Sequence, residues 1–197
     1  MDIIAVTDRK NCARPLAEQA KLICSAGADM IVMREKDLSR TESLRMAAEL
    51  MGICAGSRTE FCIDGMPEIA SEMGIETLWM PFGRIGSGMP DARKIIVSVH
   101  SFAEGKEAAA AGADAVVYGN VFETRCKPGK PAMGLETVSL LASELEIPVW
   151  AIGGIGPGNI RRAFLSGASG ACLMSGLMAA ADPEITVSAC RAACQNL

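Results

Sequence analysis

The chain has 197 residues, half of them hydrophobic and 21% charged, with a formal net charge of −4. That length suits one domain with a sizeable buried core and leaves little room for a second catalytic domain, so a single domain over residues 1–197 is expected. Without a basic block there is nothing to neutralise phosphates along a duplex, which argues against nucleic-acid binding. Eight cysteines, Cys12, Cys24, Cys54, Cys62, Cys126, Cys172, Cys190 and Cys194, are scattered with no C-x-x-C pair. They read as reduced core thiols of a cytoplasmic protein rather than a disulfide framework. The opening MDIIAVTDRK is too short in apolar run and too charged for a signal peptide or membrane span, so a soluble protein is expected.

In chain order, the apolar runs predict strands at 3–7, 30–34, 60–64, 77–81, 94–100, 115–119, 148–153 and 170–174. They are continuous rather than alternating, as parallel strands covered on both faces should be. Between them a joint recurs: Ala26-Gly27-Ala28-Asp29, Ala111-Gly112-Ala113-Asp114 and Ser166-Gly167-Ala168-Ser169, with Gly74 as a weaker copy. Each joins an Ala-rich amphipathic stretch to a strand through a Gly placed where a left-handed helix cap is wanted. Eight strand–helix units of about 25 residues predict a small (β/α)8 barrel, with an open doubly wound sheet as the competing α/β arrangement.

A barrel of this kind works at the carboxyl ends of its strands. The polar residues there are Asp8 and Arg9, Arg34, Glu35 and Lys36, Asp64, Ser98 and His100, and Asn120. Arg34 and Lys36, two apart, project to one side and suit an anion, while Glu35 faces the other way. Their alternative is simple pairing with surface carboxylates such as Asp37. The seventh strand runs into Gly153-Gly154-Ile155-Gly156-Pro157-Gly158 and the eighth into Ser175-Gly176, each at a strand-to-helix turn. These two loops are where barrels often hold a phosphate, on backbone N–H groups at a helix start. On this reading a carboxylate at position 154 repels the phosphate and leaves the fold intact. The segment from Phe122 to Lys130, carrying Arg125, Lys127 and Lys130, is expected to be a lid over an anionic ligand.

Together, AVTDR, REK, SVH, GNVFETRCKPG with Gly134, PVWAIGGI and LMSG resemble the thiamine-phosphate synthase/TenI family in order and over nearly the whole chain. The resemblance implies a barrel that binds a thiazole phosphate, with Gly154, Ser175 and Gly176 at the phosphate. Around the thiazole or its partner substrate it implies Arg34, Lys36, Asp64, Ser98, His100 and Lys127. It also implies a homodimer. Synthases of this family join a pyrimidine diphosphate to thiazole phosphate with Mg²⁺, and here the sequence departs from the pattern. The family's Asn-Asp pair after the third strand is Asp64-Gly65. Its acidic residue beyond the fourth strand has no counterpart in Leu78-Trp79-Met80-Pro81-Phe82-Gly83, and its glutamine two before the arginine is Val32.

Loss of both Mg²⁺ carboxylates weighs against metal-dependent ligation. The expectation is therefore a TenI-like thiazole tautomerase that uses no cofactor and acts on a small phosphorylated heterocycle. Asn120 stands where the family has a histidine; an amide can orient or polarise the substrate but cannot accept a proton, which makes His100 the candidate general base ahead of Glu35, which faces away from Arg34. A Mg²⁺-dependent synthase and a non-catalytic phosphate-binding protein are the alternatives.

Overall fold

The computed structural model describes residues 1–88, 90–124, 129 and 131–195. Eight parallel strands close into a barrel in sequence order, β1 (Asp2–Val6), β2 (Met30–Met33), β3 (Glu60–Asp64), β4 (Thr77–Pro81), β5 (Lys94–Val99), β6 (Ala115–Gly119), β7 (Val149–Ile152) and β8 (Gly170–Leu173). Closure is completed by β8 pairing with β1, Ile3 opposite Ala171, so the doubly wound alternative is excluded. The strands alternate with α1 (Leu16–Ser25), α2 (Arg40–Ala55), α3 (Pro67–Met73), α4 (Phe102–Ala110), α5 (Glu136–Glu144) and α6 (Ile160–Leu165), and the short α7 (Ser175–Met178) and α8 (Pro183–Gln195) follow β8. One unit departs from the expected repeat: a 3-10 turn, Phe82–Ser87, stands where a helix would link β4 to β5. Its sequence, FGRIGS, spends two of six positions on glycine, which disfavours an α-helix.

The recurrent joint has one structural explanation in all four copies. Gly27, Gly74, Gly112 and Gly167 have φ between 64° and 96°. The amide of the next residue then reaches back five positions, Ala28 to Ile23, Ile75 to Ala70, Ala113 to Ala108 and Ala168 to Ala163, at 2.8–3.3 Å. This closes each helix end with a Schellman-type bond. The aspartate that follows stitches the floor of the barrel. Asp29 accepts from the Ile3 amide and Asp114 from the Ile95 amide, both at 2.7 Å. An Ala-Gly-Ala-Asp string thus ends a helix and registers the next strand against its neighbour.

Strand parity separates two apolar layers. Ile4, Val6, Val32, Trp79, Ile96 and Trp150 fill the barrel interior, while Ile3, Ala5, Ile31, Leu78 and Val97 face the helices. Helix starts are set locally: Ser39 and Glu42 form a reciprocal capping box on α2, and Ser101 caps α4 through the Glu104 amide. Among the described residues Cys24, Cys54, Cys62, Cys172 and Cys190 are buried free thiols, and burial raises the Cys62, Cys172 and Cys190 thiols, the last to about 11. No helix among the described residues is long and apolar enough to cross a membrane.

Candidate active site at the barrel mouth

The polar strand ends gather at the carboxyl end of the barrel, above a floor made by Val32, Trp79 and Ser98. Trp79 is buried in the interior layer and donates its indole N–H to Ser98 Oγ at 2.6 Å. Met174 and Ile152, half-buried, pack against the same layer from the β8 and β7 side. The floor under any ligand is therefore mostly apolar, with the Ser98 hydroxyl as its polar group and the Trp79 indole donor already engaged by it.

On the β1–β3 side, Thr7 Oγ1 accepts the Arg34 amide at 2.9 Å, which anchors the end of β2 to β1. Arg34 Nε lies 3.4 Å from Asp64 Oδ2 at the end of β3. Glu35 points the opposite way, as period-two geometry requires, and is only 4% exposed. It accepts from both the Arg9 amide and the Arg9 guanidinium at 2.9 Å. Arg9 also forks onto Asp37 at 2.7 and 2.8 Å. With Lys10 it holds the Asp37 carboxyl well below the usual carboxylate range. Asp37 is thus occupied by Arg9 and Lys10, and the ion pair that Arg34 makes is with Asp64 at the mouth.

Asp64 has three cations around it. Burial pushes its carboxyl above the ordinary value, and Arg34, Lys36 and Arg84 pull it back in that order without cancelling the effect. Arg84 lies in the turn after β4, exposed, with Nη1 3.5 Å from the Gly65 carbonyl. It is the functional candidate that the reading of strand ends misses. β4 closes on Trp-Met-Pro, and the cation comes three residues later, one position beyond Gly83.

Across the mouth, the loops after β7 and β8 come close together. A Cβ built on Gly176 has the Ile155 carbonyl 3.7 Å away. The Gly153 carbonyl accepts the Phe122 amide at 3.1 Å and the Gly154 carbonyl accepts Asn159 Nδ2 at 2.9 Å. In a trans peptide the N–H opposes the preceding carbonyl, so the amides of Gly154 and Ile155 point away from those partners. The amides of Ser175 and Gly176 stand in the first turn of α7, where no carbonyl of that helix can reach them. Gly154 has φ 66°, and a Cβ there comes within 2.3 Å of the Glu123 carbonyl and 2.9 Å of Phe122 Cβ. A carboxylate at 154 displaces backbone, which corrects the expectation that the fold tolerates it. Gly176 is the position with room.

Two further sequence candidates occupy other places. His100 follows β5 with its side chain 54% exposed; its amide donates to Glu104 Oε2 at 2.7 Å and its Nδ1 lies 3.6 Å from that oxygen. It is directed to the start of α4. Asn120 is buried, and its Nδ2 donates to the Pro131 carbonyl at 3.2 Å while its own carbonyl accepts the Met133 amide. Side chain and backbone of Asn120 thus tie Pro131 and Met133 to the end of β6. Lys127 and most of the expected lid, with Arg125, Cys126 and Lys130, lie outside the described residues.

The donor set does not fit Mg²⁺. A hard cation is held by several oxygens, usually carboxylates. Here Asp64 stands amid cations, Gly65 offers a carbonyl already beside a guanidinium, and the β4 turn presents Arg84. Among the described residues, no three His, Cys, Asp or Glu side chains come together as a metal site.

A closed parallel barrel with a charged mouth and glycine-rich loops after β7 and β8 places the chain among the (β/α)8 barrels. The sequence model described as thiamine monophosphate synthase matches residues 3–177, and the chain belongs to that family. It is 28% identical over 190 residues to the thiamine-phosphate synthase of Chlorobium phaeobacteroides, covering 92% of this chain and 90% of the relative. It is 30% identical over 188 residues to that of Syntrophomonas wolfei, covering 91% and 89%. In structure it is similar to the thiamine phosphate pyrophosphorylase of Pyrococcus furiosus, with a TM-score of 0.86 and 26% identity, covering 98% of this chain and 95% of that one. These relatives carry the name of a synthase, a transferase, which overturns the expectation of a thiazole tautomerase. The metal-site departures that motivated the expectation are real, but they concern how charge is supplied and do not bear on which bond is made.

Proposed function

We propose that this barrel is a synthase that joins a pyrimidine diphosphate to a thiazole phosphate. In that reaction the bond from the pyrimidine-bearing carbon to the diphosphate oxygen breaks and a bond from that carbon to the thiazole nitrogen forms. The electron pair leaves with pyrophosphate, so no net proton transfer is required and no general base has to be found at Asn120. The observation that carries the reading is the two-sided charge layout of the mouth. Two neighbouring glycine loops suit one phosphate, and three cations around Asp64 suit a second, more highly charged anion.

On this assignment the amides of Gly154, Ser175 and Gly176 hold the thiazole phosphate and fix that ring's position. Arg34, Lys36 and Arg84 face the diphosphate and favour it more as charge builds up on the departing group, which is the differential interaction that lowers a barrier. The apolar floor of Val32 and Trp79 excludes water from between the two rings. Asp64 holds Arg34 in place and offers an oxygen to a ring substituent. Holding both reactants in one mouth replaces a bimolecular encounter by a positioned one.

The test is to incubate the purified protein with both substrates and follow the joined product and pyrophosphate together. Equimolar appearance of the two, dependent on both substrates, is expected. Binding of thiazole phosphate with no pyrophosphate released from the mixture, with or without Mg²⁺, contradicts the reading and leaves a binding protein.

A further inference from the structure

The mouth holds a charge arrangement that a metal-dependent diphosphate site would not tolerate. Of the carboxylates after β2 and β3, Asp64 is paired with Arg34 at the mouth, whereas Glu35 is taken by Arg9, and Asp37 by Arg9 and Lys10. Facing Asp64 are Arg34, Lys36 and Arg84, from the ends of β2 and from the turn after β4. Three cations against one carboxylate leave an excess of two positive charges, the charge of one divalent ion. A metal entering here meets like charge and few oxygens, whereas a diphosphate meets donors.

From this we propose that the protein binds the diphosphate end of its substrate without a divalent cation, with the Arg84 guanidinium, beside Arg34 and Lys36, supplying the charge. The inference rests on the synthase reading for the identity of the anion, but its evidence is the residue set at β2–β4. Arg84 is suited to the part. A guanidinium presents several donors in a plane and meets two phosphoryl oxygens at once, and it stays charged at any working pH. Its Nη1 lies 3.5 Å from the Gly65 carbonyl, a loose contact made by one of its donors. Lys36 is likewise exposed at the mouth. The cations sit on two separate segments, Arg34 and Lys36 after β2 and Arg84 in the turn after β4, so a diphosphate bridging them ties the end of β2 to the β4 turn across the end of β3.

Inorganic pyrophosphate is the probe, titrated calorimetrically into the protein once in EDTA and once in excess Mg²⁺. Binding in EDTA within about threefold of the affinity in Mg²⁺ is expected, as is a loss of tenfold or more in EDTA for Arg84→Ala, with partial recovery in Arg84→Lys. Arg84 is exposed, so these variants keep the wild-type thermal midpoint, and circular dichroism checks that they do. Binding that appears only with Mg²⁺, or an Arg84→Ala protein as tight as wild type in EDTA, overturns the proposal. Its failure is distinct from failure of the synthase reading. Product formed only with Mg²⁺ refutes the metal-free site and keeps the reaction, whereas metal-free pyrophosphate binding without product refutes the reaction and keeps the site.

Discussion

Gly176→Asp separates the phosphate corner from everything else in the barrel. The position is exposed, and a Cβ there has its nearest neighbours, the Ile155 carbonyl and Leu173 Cδ2, at 3.7 Å, which is ordinary van der Waals contact. As the second residue of α7, an aspartate is also on the favoured end of the helix, so the fold is expected to hold. Two unit charges about 4 Å apart interact by roughly 4 kcal/mol at an effective dielectric of about 20. Discounting for the open side of the loop leaves about 2–4 kcal/mol, or a thirty- to thousandfold loss of thiazole phosphate affinity. Calorimetric titration of wild type, Gly176→Asp and Gly176→Asn measures it, with the thermal midpoint of each recorded alongside. The asparagine variant has the same size without the charge and is expected to stay within about fivefold of wild type. Equal losses in both variants, or unchanged affinity in the aspartate variant, refute a phosphate at this corner.

Two other outcomes follow from the wall on the β1–β3 side. Glu35→Ala leaves the Arg9 amide and guanidinium without their buried acceptor and should destabilise the fold by about 2 kcal/mol, the scale of a charge-assisted hydrogen bond lost from a partly exposed pair. In a chain of this size that lowers the thermal midpoint by about 4–8 °C, whereas Asp37→Ala, at an exposed partner of the same arginine, moves it little; equal effects contradict the assignment of Glu35 as the anchor. Asp64→Asn tests the cost of the buried carboxylate through pH. Its pKa is raised in the folded state, so the wild-type carboxyl contributes most to stability at acid pH, and that contribution is lost as pH climbs from the ordinary carboxylate value through the raised one. The stability of Asp64→Asn relative to wild type should therefore rise across that window and level off above it, as followed by urea melts from pH 3 to 7. A relative stability that falls with pH contradicts the dominance of burial over the three cations.

The barrel was legible because its repeating joint carries two physical requirements in four residues. Gly27 and Gly112 must be glycine for the left-handed helix end, and Asp29 and Asp114 must reach the amide of a neighbouring strand. The strands follow as apolar runs between such joints, with observed ends within a residue of the expected ones. The turn between β4 and β5 was not legible as a helix replacement, since spacing alone asks for a repeat there and the glycines that prevent it are also common in loops. At the mouth, the opposed directions of Arg34 and Glu35 could be read from strand parity, but the partner of each could not. Arg34 meets Asp64 and Glu35 meets Arg9 only because β1, β2 and β3 are neighbours in the closed sheet. Arg84 was hidden for a related reason: it lies beyond the strand end, and the 3-10 turn carries it back beside Gly65. His100 shares strand parity with Ser98, yet Glu104 on the following helix draws it to the rim.

A cleft of about 350 Å³ lined by Met51, Cys54, Phe61 and Ile75 lies near the amino-terminal ends of β3 and β4, opposite the mouth, and offers a clear alternative place for a small ligand. A crystal structure of the protein soaked with thiazole phosphate and inorganic pyrophosphate in EDTA decides between the two ends. The thiazole phosphate group is expected on the amides of Ser175 and Gly176, and pyrophosphate among Arg34, Lys36 and Arg84, with the ring lying over Trp79. Both anions at the opposite cleft, or a mouth that stays empty at saturating ligand, would contradict the account.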